Sequence, residues 1–165
     1  MPSKQTQRPP IDEDLLFQQR NWRVQRIGWM VLGLLIVAGL AGLMGPGPLS
    51  RVNARAGERL EVDYERFVRH GAASELKVTV RRPASGQVRV AISRDYLDQL
   101  NLERVRPSPI EVQSSGGDAV YVFGHAGGQS MQATFVIQPE ELGSHVARVA
   151  AGDGSSVTIR QFTYP

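Results

Sequence analysis

The sequence predicts an antiparallel β-sandwich carried behind a single transmembrane helix, and three observations predict it. The stretch Ile27 to Met44, IGWMVLGLLIVAGLAGLM, contains no charged residue. Beyond it, apolar residues recur at every second position through several short runs, the spacing of a strand that buries one face. Clusters of Gly, Ser and Asp separate those runs and supply the turns an antiparallel sheet requires.

The apolar run has the length of a membrane span. Its eighteen residues, at the helical rise, cover about 27 Å, close to the ~30 Å hydrocarbon core of a bilayer. Nine of them are Leu, Ile or Val, each favouring insertion by roughly 0.3 to 0.6 kcal/mol. Trp22 and Trp29 suit an interfacial belt at its amino end. Gly45-Pro46-Gly47-Pro48 stops the helix, because proline lacks the amide hydrogen and biases its predecessor away from helical geometry. The boundaries are a tail over 1–26, a span over 27–45, a Gly/Pro linker over 46–57 and the β-sandwich over 58–165.

Flanking charge leaves the orientation open: Arg20, Arg23 and Arg26 on one side balance Arg51, Arg55 and Arg59 on the other. The run is the one segment able to target the chain, so a signal-anchor is expected. Its amino terminus would be cytoplasmic and its large domain periplasmic, in a single-pass protein of the bacterial inner membrane. Ala54-Arg55-Ala56 imitates a small-x-small processing site before Gly57, which leaves cleavage open. The long preceding tail and the distance from the apolar run favour an anchor.

Met1 to Pro10 is polar with paired prolines, the composition of a disordered leader. From Ile11 to Arg26, acidic residues lead and arginines follow, as the dipole of a helix entering the membrane prefers. Those arginines can touch anionic headgroups. Within the span, Ala38 with Gly42 and Ala41 with Gly45 form two small-xxx-small pairs, a stripe along which another helix could approach closely.

In the domain, Leu60, Val62 and Tyr64, then Leu76, Val78 and Val80, then Val88, Val90 and Ile92 mark three strands. Arg82-Pro83-Ala84-Ser85-Gly86 turns between the second and third. Ser93 to Asn101 breaks the rhythm and predicts a short surface helix with Ser93 as its N-cap. Strand-like runs return at Ile110 to Gln113, Ala119 to Phe123, Met131 to Ile137, Val146 to Val149 and Ser156 to Tyr164. The total is seven or eight strands and one short helix, a sandwich pattern.

Composition narrows the function. Cysteine is absent, which excludes disulfides, a thiolate nucleophile and thiolate metal ligation. The whole chain is formally +3, but from Arg51 onward fourteen Lys and Arg face thirteen Asp and Glu. No concentrated basic footprint for nucleic acid remains. The sequence holds no nucleophile elbow, zinc-protease pair, phosphate loop or dinucleotide fingerprint. His70, His125 and His145 share no ligand spacing, and Glu61 with Asp63 or Glu140 with Glu141 are the carboxylate pairs expected of solvated faces. No catalytic, cofactor or metal residue is assigned. Tyr64-Glu65-Arg66-Phe67-Val68-Arg69-His70 stands out by mixing aromatics with arginines, types enriched at binding hot spots. Burial of Tyr64 and Phe67 in the sandwich floor is the other use open to it.

Two resemblances add to this. Pro139 to Val149 followed by Val157-Thr158-Ile159-Arg160 resembles the last two strands of immunoglobulin-like domains, with His145 where those domains place a corner tyrosine. Gly45-Pro46-Gly47-Pro48-Leu49-Ser50, Tyr64-Glu65-Arg66-Phe67, Ser93-Arg94-Asp95-Tyr96-Leu97 and Phe162-Thr163-Tyr164-Pro165 resemble an uncharacterised bacterial family of single-span membrane proteins. The first resemblance implies an immunoglobulin-like fold; members of the second family tend to be encoded beside YetF-like integral membrane proteins, which implies an envelope partner. The expected function is therefore a non-catalytic binding or accessory subunit of another cell-envelope membrane protein, for which the resemblance implies a YetF-like integral membrane protein as a possible partner. Its contacts are expected from Ala38, Ala41, Gly42 and Gly45 in the span and Tyr64, Arg66, Phe67 and Arg69 in the domain. Two alternatives stay open: a small periplasmic hydrolase with a site of scattered His, Asp and Ser, and an envelope protein that dimerises through its helix.

Overall fold

The computed structural model describes residues 15–40, 50–81, 83 and 86–165, and the chain divides into two compact units between Val37 and Ala38. The first contains helix α1, Leu15–Ala38. From Trp22 to Val37 its side chains are exposed on every face, Trp29 at 66% and Leu34 at 70%. The Arg26 guanidinium lies over the Trp22 ring, 5.4 Å from its centroid. Among the described residues no helix is long and apolar enough to cross a membrane. The amino-terminal half of α1 is charged, and of the expected span it holds Ile27 to Ala38. Ala41, Gly42 and Gly45 of the small-residue stripe lie outside the described residues, as do the leader Met1 to Pro10 and the Gly45 to Pro48 stop.

The second unit is a β-sandwich of two sheets. One has five strands in the order β1-β2-β4-β9-β6 and the other six in the order β3-β11-β10-β5-β8-β7. Along the chain these are β1 (Arg51–Ala56), β2 (Leu60–Glu65), β3 (Phe67–Arg69), β4 (Ser74–Arg81) and β5 (Gly86–Ser93). After α2 (Arg94–Leu97) come β6 (Leu100–Arg106), β7 (Glu111–Ser115), β8 (Asp118–His125), β9 (Ser130–Pro139), β10 (Gly143–Ala151) and β11 (Ser156–Tyr164). All described pairings are antiparallel except β3 with β11, which is parallel.

Period-two burial holds the sheets together. Leu60, Val62, Leu76 and Val78 from the five-stranded sheet meet Val90, Ile92, Ala147, Val149 and Ile159 from the six-stranded one, all essentially inaccessible. Phe135 on β9 lies edge-on to Tyr121 and Phe123 on β8, at centroid distances of 5.0 and 6.4 Å, and so bridges the sheets. The β7–β8 hairpin turns in two residues, Gly116 and Gly117, both with positive φ, the geometry that suits the strand twist and that glycine adopts without steric cost.

Three expectations give way here. The linker over 46–57 does not extend to Gly57, because Arg51 to Ala56 forms an edge strand paired with β2 from Arg51↔Glu65 to Ala56↔Leu60. The helix over Ser93 to Asn101 shrinks to one turn: Ser93 makes no side-chain cap, its hydroxyl accepting instead from the Arg148 amide at 3.1 Å, and Leu100 already begins β6. The turn lies at the surface with Arg94 and Asp95 exposed, but it sends Tyr96 inward, at 1% exposure. Among the described residues the strand total reaches eleven through β1, β3 and β6.

Candidate partner-binding site

The stretch singled out in sequence, Tyr64 to His70, is where the chain leaves one sheet for the other. β2 ends at Glu65 and β3 begins at Phe67, so Arg66 spans the gap between sheets. Ser50, fully buried, clamps the crossing: the Arg66 amide donates to its carbonyl at 2.6 Å, its hydroxyl donates to the Phe67 carbonyl at 3.0 Å, and the Phe67 amide donates to the Ser50 hydroxyl oxygen at 3.2 Å. The corner is thus tied to the point where the chain enters the domain.

The alternation splits the predicted residues into two groups. Tyr64 and Val68 point into the interior, at 7% and 3% exposure, and Tyr64 belongs to the core. Phe67 is half-buried and Arg66 and Arg69 are exposed. Phe67 pairs with Phe162 across the parallel ladder, so two phenylalanines stand side by side on the outer face of the six-stranded sheet, Phe162 46% exposed. Arg160 and Thr158 follow Phe162 on that face at alternate positions of β11.

A depression of about 570 Å³ lies between Tyr64, Arg66 and Phe67 of the corner and Thr158, Arg160 and Phe162 of β11. A second, of about 810 Å³, opens on the other side of the corner among Arg51, Asn53, Glu65, Arg69, Lys77 and Tyr164. The floor between the sheets is polar and rigid. The Tyr96 hydroxyl donates to the Gln161 Oε1, and the Gln161 Nε2 donates to the Glu65 carbonyl at 2.8 Å. Burial pushes the Tyr96 phenol well up, so it stays a neutral donor. This relay holds the end of β2 against the middle of β11.

Ion pairs occupy several of the domain's arginines but not those of this corner. Arg55 and Arg81 are both committed to Glu61, Arg59 to Asp153 and Arg148 to Asp118. Among the described residues, no acidic partner lies within ion-pair distance of Arg66, Arg69 or Arg160. The corner therefore presents cations beside the exposed Phe162 ring and the half-buried Phe67 ring, a combination that can receive an anionic group with apolar neighbours.

The residues considered for chemistry sit elsewhere. Hydrogen bonds from Arg81, Asn53 and Arg55 hold the Glu61 carboxyl down at about 2, and Asn53 also donates to Asp63 at 2.6 Å. An acid so firmly ionised is a poor proton carrier near neutrality. His145 is buried, with Nδ1 2.6 Å from the Gln99 amide oxygen and Nε2 donating to the Glu141 carbonyl at 3.0 Å, so both ring nitrogens are occupied. It fastens β10 to the loop after α2. His125 ends β8 and His70 lies in the turn after β3. Among the described residues, no group of three or more His, Asp or Glu could hold a metal ion.

Sequence reasoning singled out the Tyr64 to His70 stretch and read β11 as a strand, but did not set the outward face of β11 beside that stretch. Thr158, Arg160 and Phe162 carried a usable signal, outward residues at a strict period of two that end on an exposed aromatic. The parallel pairing that sets them beside Phe67 joins positions some 95 residues apart, and nothing local announces it.

No protein-family model matches the chain, and no curated protein matches it. Solved structures do resemble it. A cohesin module from a family 33 glycoside hydrolase of Clostridium perfringens is 14% identical, with 68% of this chain and 97% of that one covered and a TM-score of 0.42. Domains 4 and 5 of the S-layer protein SbsC are 17% identical over 70% of this chain and 54% of that one, TM-score 0.43. An uncharacterized Nocardia farcinica protein with an immunoglobulin-like fold is 16% identical over 61% of this chain and 82% of that one, TM-score 0.33. What those proteins bind or assemble into is not carried over to this chain.

Proposed function

We propose that this protein is a membrane-anchored, extracytoplasmic β-sandwich of immunoglobulin-like type that serves as a binding or accessory subunit of another envelope membrane protein, without catalysis. The observation that carries the reading is the coexistence of a sandwich with a complete core of its own and a helix whose apolar side chains from Ile27 onward are exposed around its circumference. A helix apolar on all sides calls for an apolar surround, and a bilayer supplies one. With Ala41 to Met44 added, the uncharged run regains the length of a span.

Two further observations support it. Ala54-Arg55-Ala56 lies within β1, paired with Val62, Glu61 and Leu60. Processing before Gly57 would strip an edge strand from the five-stranded sheet, so the segment serves the fold better intact. The corner at Arg66, Phe67, Arg160 and Phe162 offers cations and apolar rings free to meet a partner. Confinement of both proteins to one membrane raises their local concentration, so that a modest interface suffices. The resemblance noted in the sequence points to a YetF-like integral membrane protein as companion, and a signal-anchor in the bacterial inner membrane would leave the amino terminus cytoplasmic and the domain periplasmic.

Crosslinking in intact cells, followed by purification in mild detergent and mass spectrometry, tests the reading. One stoichiometric integral membrane companion is expected. Recovery of the protein alone as a monomer overturns it, and recovery as a homodimer that survives corner substitutions assigns it instead to self-association through the helix.

A further inference from the structure

We propose that the open edge of β11 is a strand-addition site that takes an extended, acidic segment of the partner protein. This rests on the accessory-subunit reading and names the chemistry of its contact. β11 runs from Ser156 to Tyr164, but β3 covers only Phe162 to Tyr164 of its outer edge. Among the described residues no strand pairs with that edge over residues 156–161.

The direction of the unpaired groups follows from the bonds that are made. The Phe162 amide donates to the Arg66 carbonyl at 2.7 Å, and the Tyr164 carbonyl accepts from the His70 amide at 2.8 Å, so Phe162 and Tyr164 turn their backbone groups towards β3. Backbone groups alternate sides along a strand. The N–H and C=O of Arg160 and Thr158 therefore point to the same edge, below the end of β3, where the 570 Å³ depression begins. An added strand would continue the three-residue ladder that β3 starts.

Chemistry selects the occupant. Arg160 stands exposed on the outer face beside the open edge, exposed Arg66 lies where β3 begins, and neither has an acidic partner among the described residues. An incoming strand with carboxylates on its outward face neutralises both, while a second copy of this chain pairing through the same edge would set Arg160 against Arg160. The row of directed backbone donors and acceptors is satisfied by a strand and not by a headgroup layer. Of the other sheet edges, β6 is bulged between Leu102 and Arg104, β7 carries Glu111 and no arginine, and along β1 Asn53 and Arg55 are taken up by Glu61 and Asp63.

The test uses the full chain in detergent micelles and a capped octapeptide of alternating glutamate and valine, with hydrogen exchange of residues 156–161 as the readout. The peptide is expected to slow exchange there. A version with lysine for glutamate should bind about tenfold more weakly, and Arg160→Glu should reverse that preference. A version N-methylated on alternate amides, which cannot complete the ladder, should give no protection, a control that needs no variant of the protein to fold. The proposal is overturned if protection is absent or falls elsewhere, or if N-methylation leaves it unchanged. It is equally overturned if phosphatidylglycerol vesicles alone reproduce it, which would indicate a membrane surface, or if it grows with protein concentration without peptide, which would indicate a second copy. A membrane companion recovered from cells alongside a failed peptide test removes the edge site and leaves the accessory reading; peptide protection with no companion does the reverse.

Discussion

Glu61 accepts from Asn53, Arg55 and Arg81 on the outer face of the five-stranded sheet, and its carboxyl is lowered from 4.5 to about 2. The linkage has a definite sign: a depressed acid contributes stability that is fully present above its unfolded value and is lost as pH falls through its folded value. Thermal midpoints of the wild type should therefore fall between about pH 4.5 and 2 more steeply than those of Glu61→Gln. Parallel curves for the two would contradict the assignment. The second residue-scale prediction concerns the buried relay. Tyr96→Phe leaves the Gln161 Oε1 without its donor in the interior, at a cost of about 1 to 3 kcal/mol in urea unfolding. The sequence predicts a short surface helix here, with no sign that Tyr96 is buried. A single helical turn has no room to show a buried face by periodicity, and its hydrogen-bond partner is 65 positions away.

Strands with clean period-two patterns were readable: β2, β4, β5, β8, β9, β10 and β11 each carry an alternating apolar face. The three unread strands each have a physical reason. β1 turns Val52, Ala54 and Ala56 inward, and two alanines give too small a hydrophobic contrast to mark a strand. In β6 the bulge between Leu102 and Arg104 shifts the inward set from Leu100 and Leu102 to Val105, which breaks the period. β3 has only three residues and exists through a parallel partner at the far end of the chain. The same logic locates the sensitive element. Phe135 on β9 is fully buried and touches both Tyr121 and Phe123, so Phe135→Ala should cost about 3 to 5 kcal/mol with the denaturant slope unchanged. A loss under 1 kcal/mol would mean that the two sheets are not joined through that ring.

At the scale of the whole molecule, two segments of opposite solvent preference share one chain. The domain from Ser50 onward buries its apolar residues against one another, whereas the apolar residues of α1 are left exposed. That contrast was legible in sequence from the uncharged run alone, and so was the corner at Tyr64 to Arg69; its complement on β11 was not, because the two meet only once both sheets have formed. A charge in the run should be felt as a membrane defect: Leu35→Arg is expected to cost about 3 kcal/mol of insertion and to shift the protein from the membrane to the soluble fraction while the domain keeps its thermal transition. The most direct measurement is alkaline carbonate extraction of membranes from cells making the carboxyl-tagged chain, with protease added to intact spheroplasts from the same culture. An anchored sandwich outside the cytoplasm predicts that the wild type stays in the pellet and that added protease removes its tag. Release into the supernatant, or a tag protected until the cells are lysed, would contradict the account.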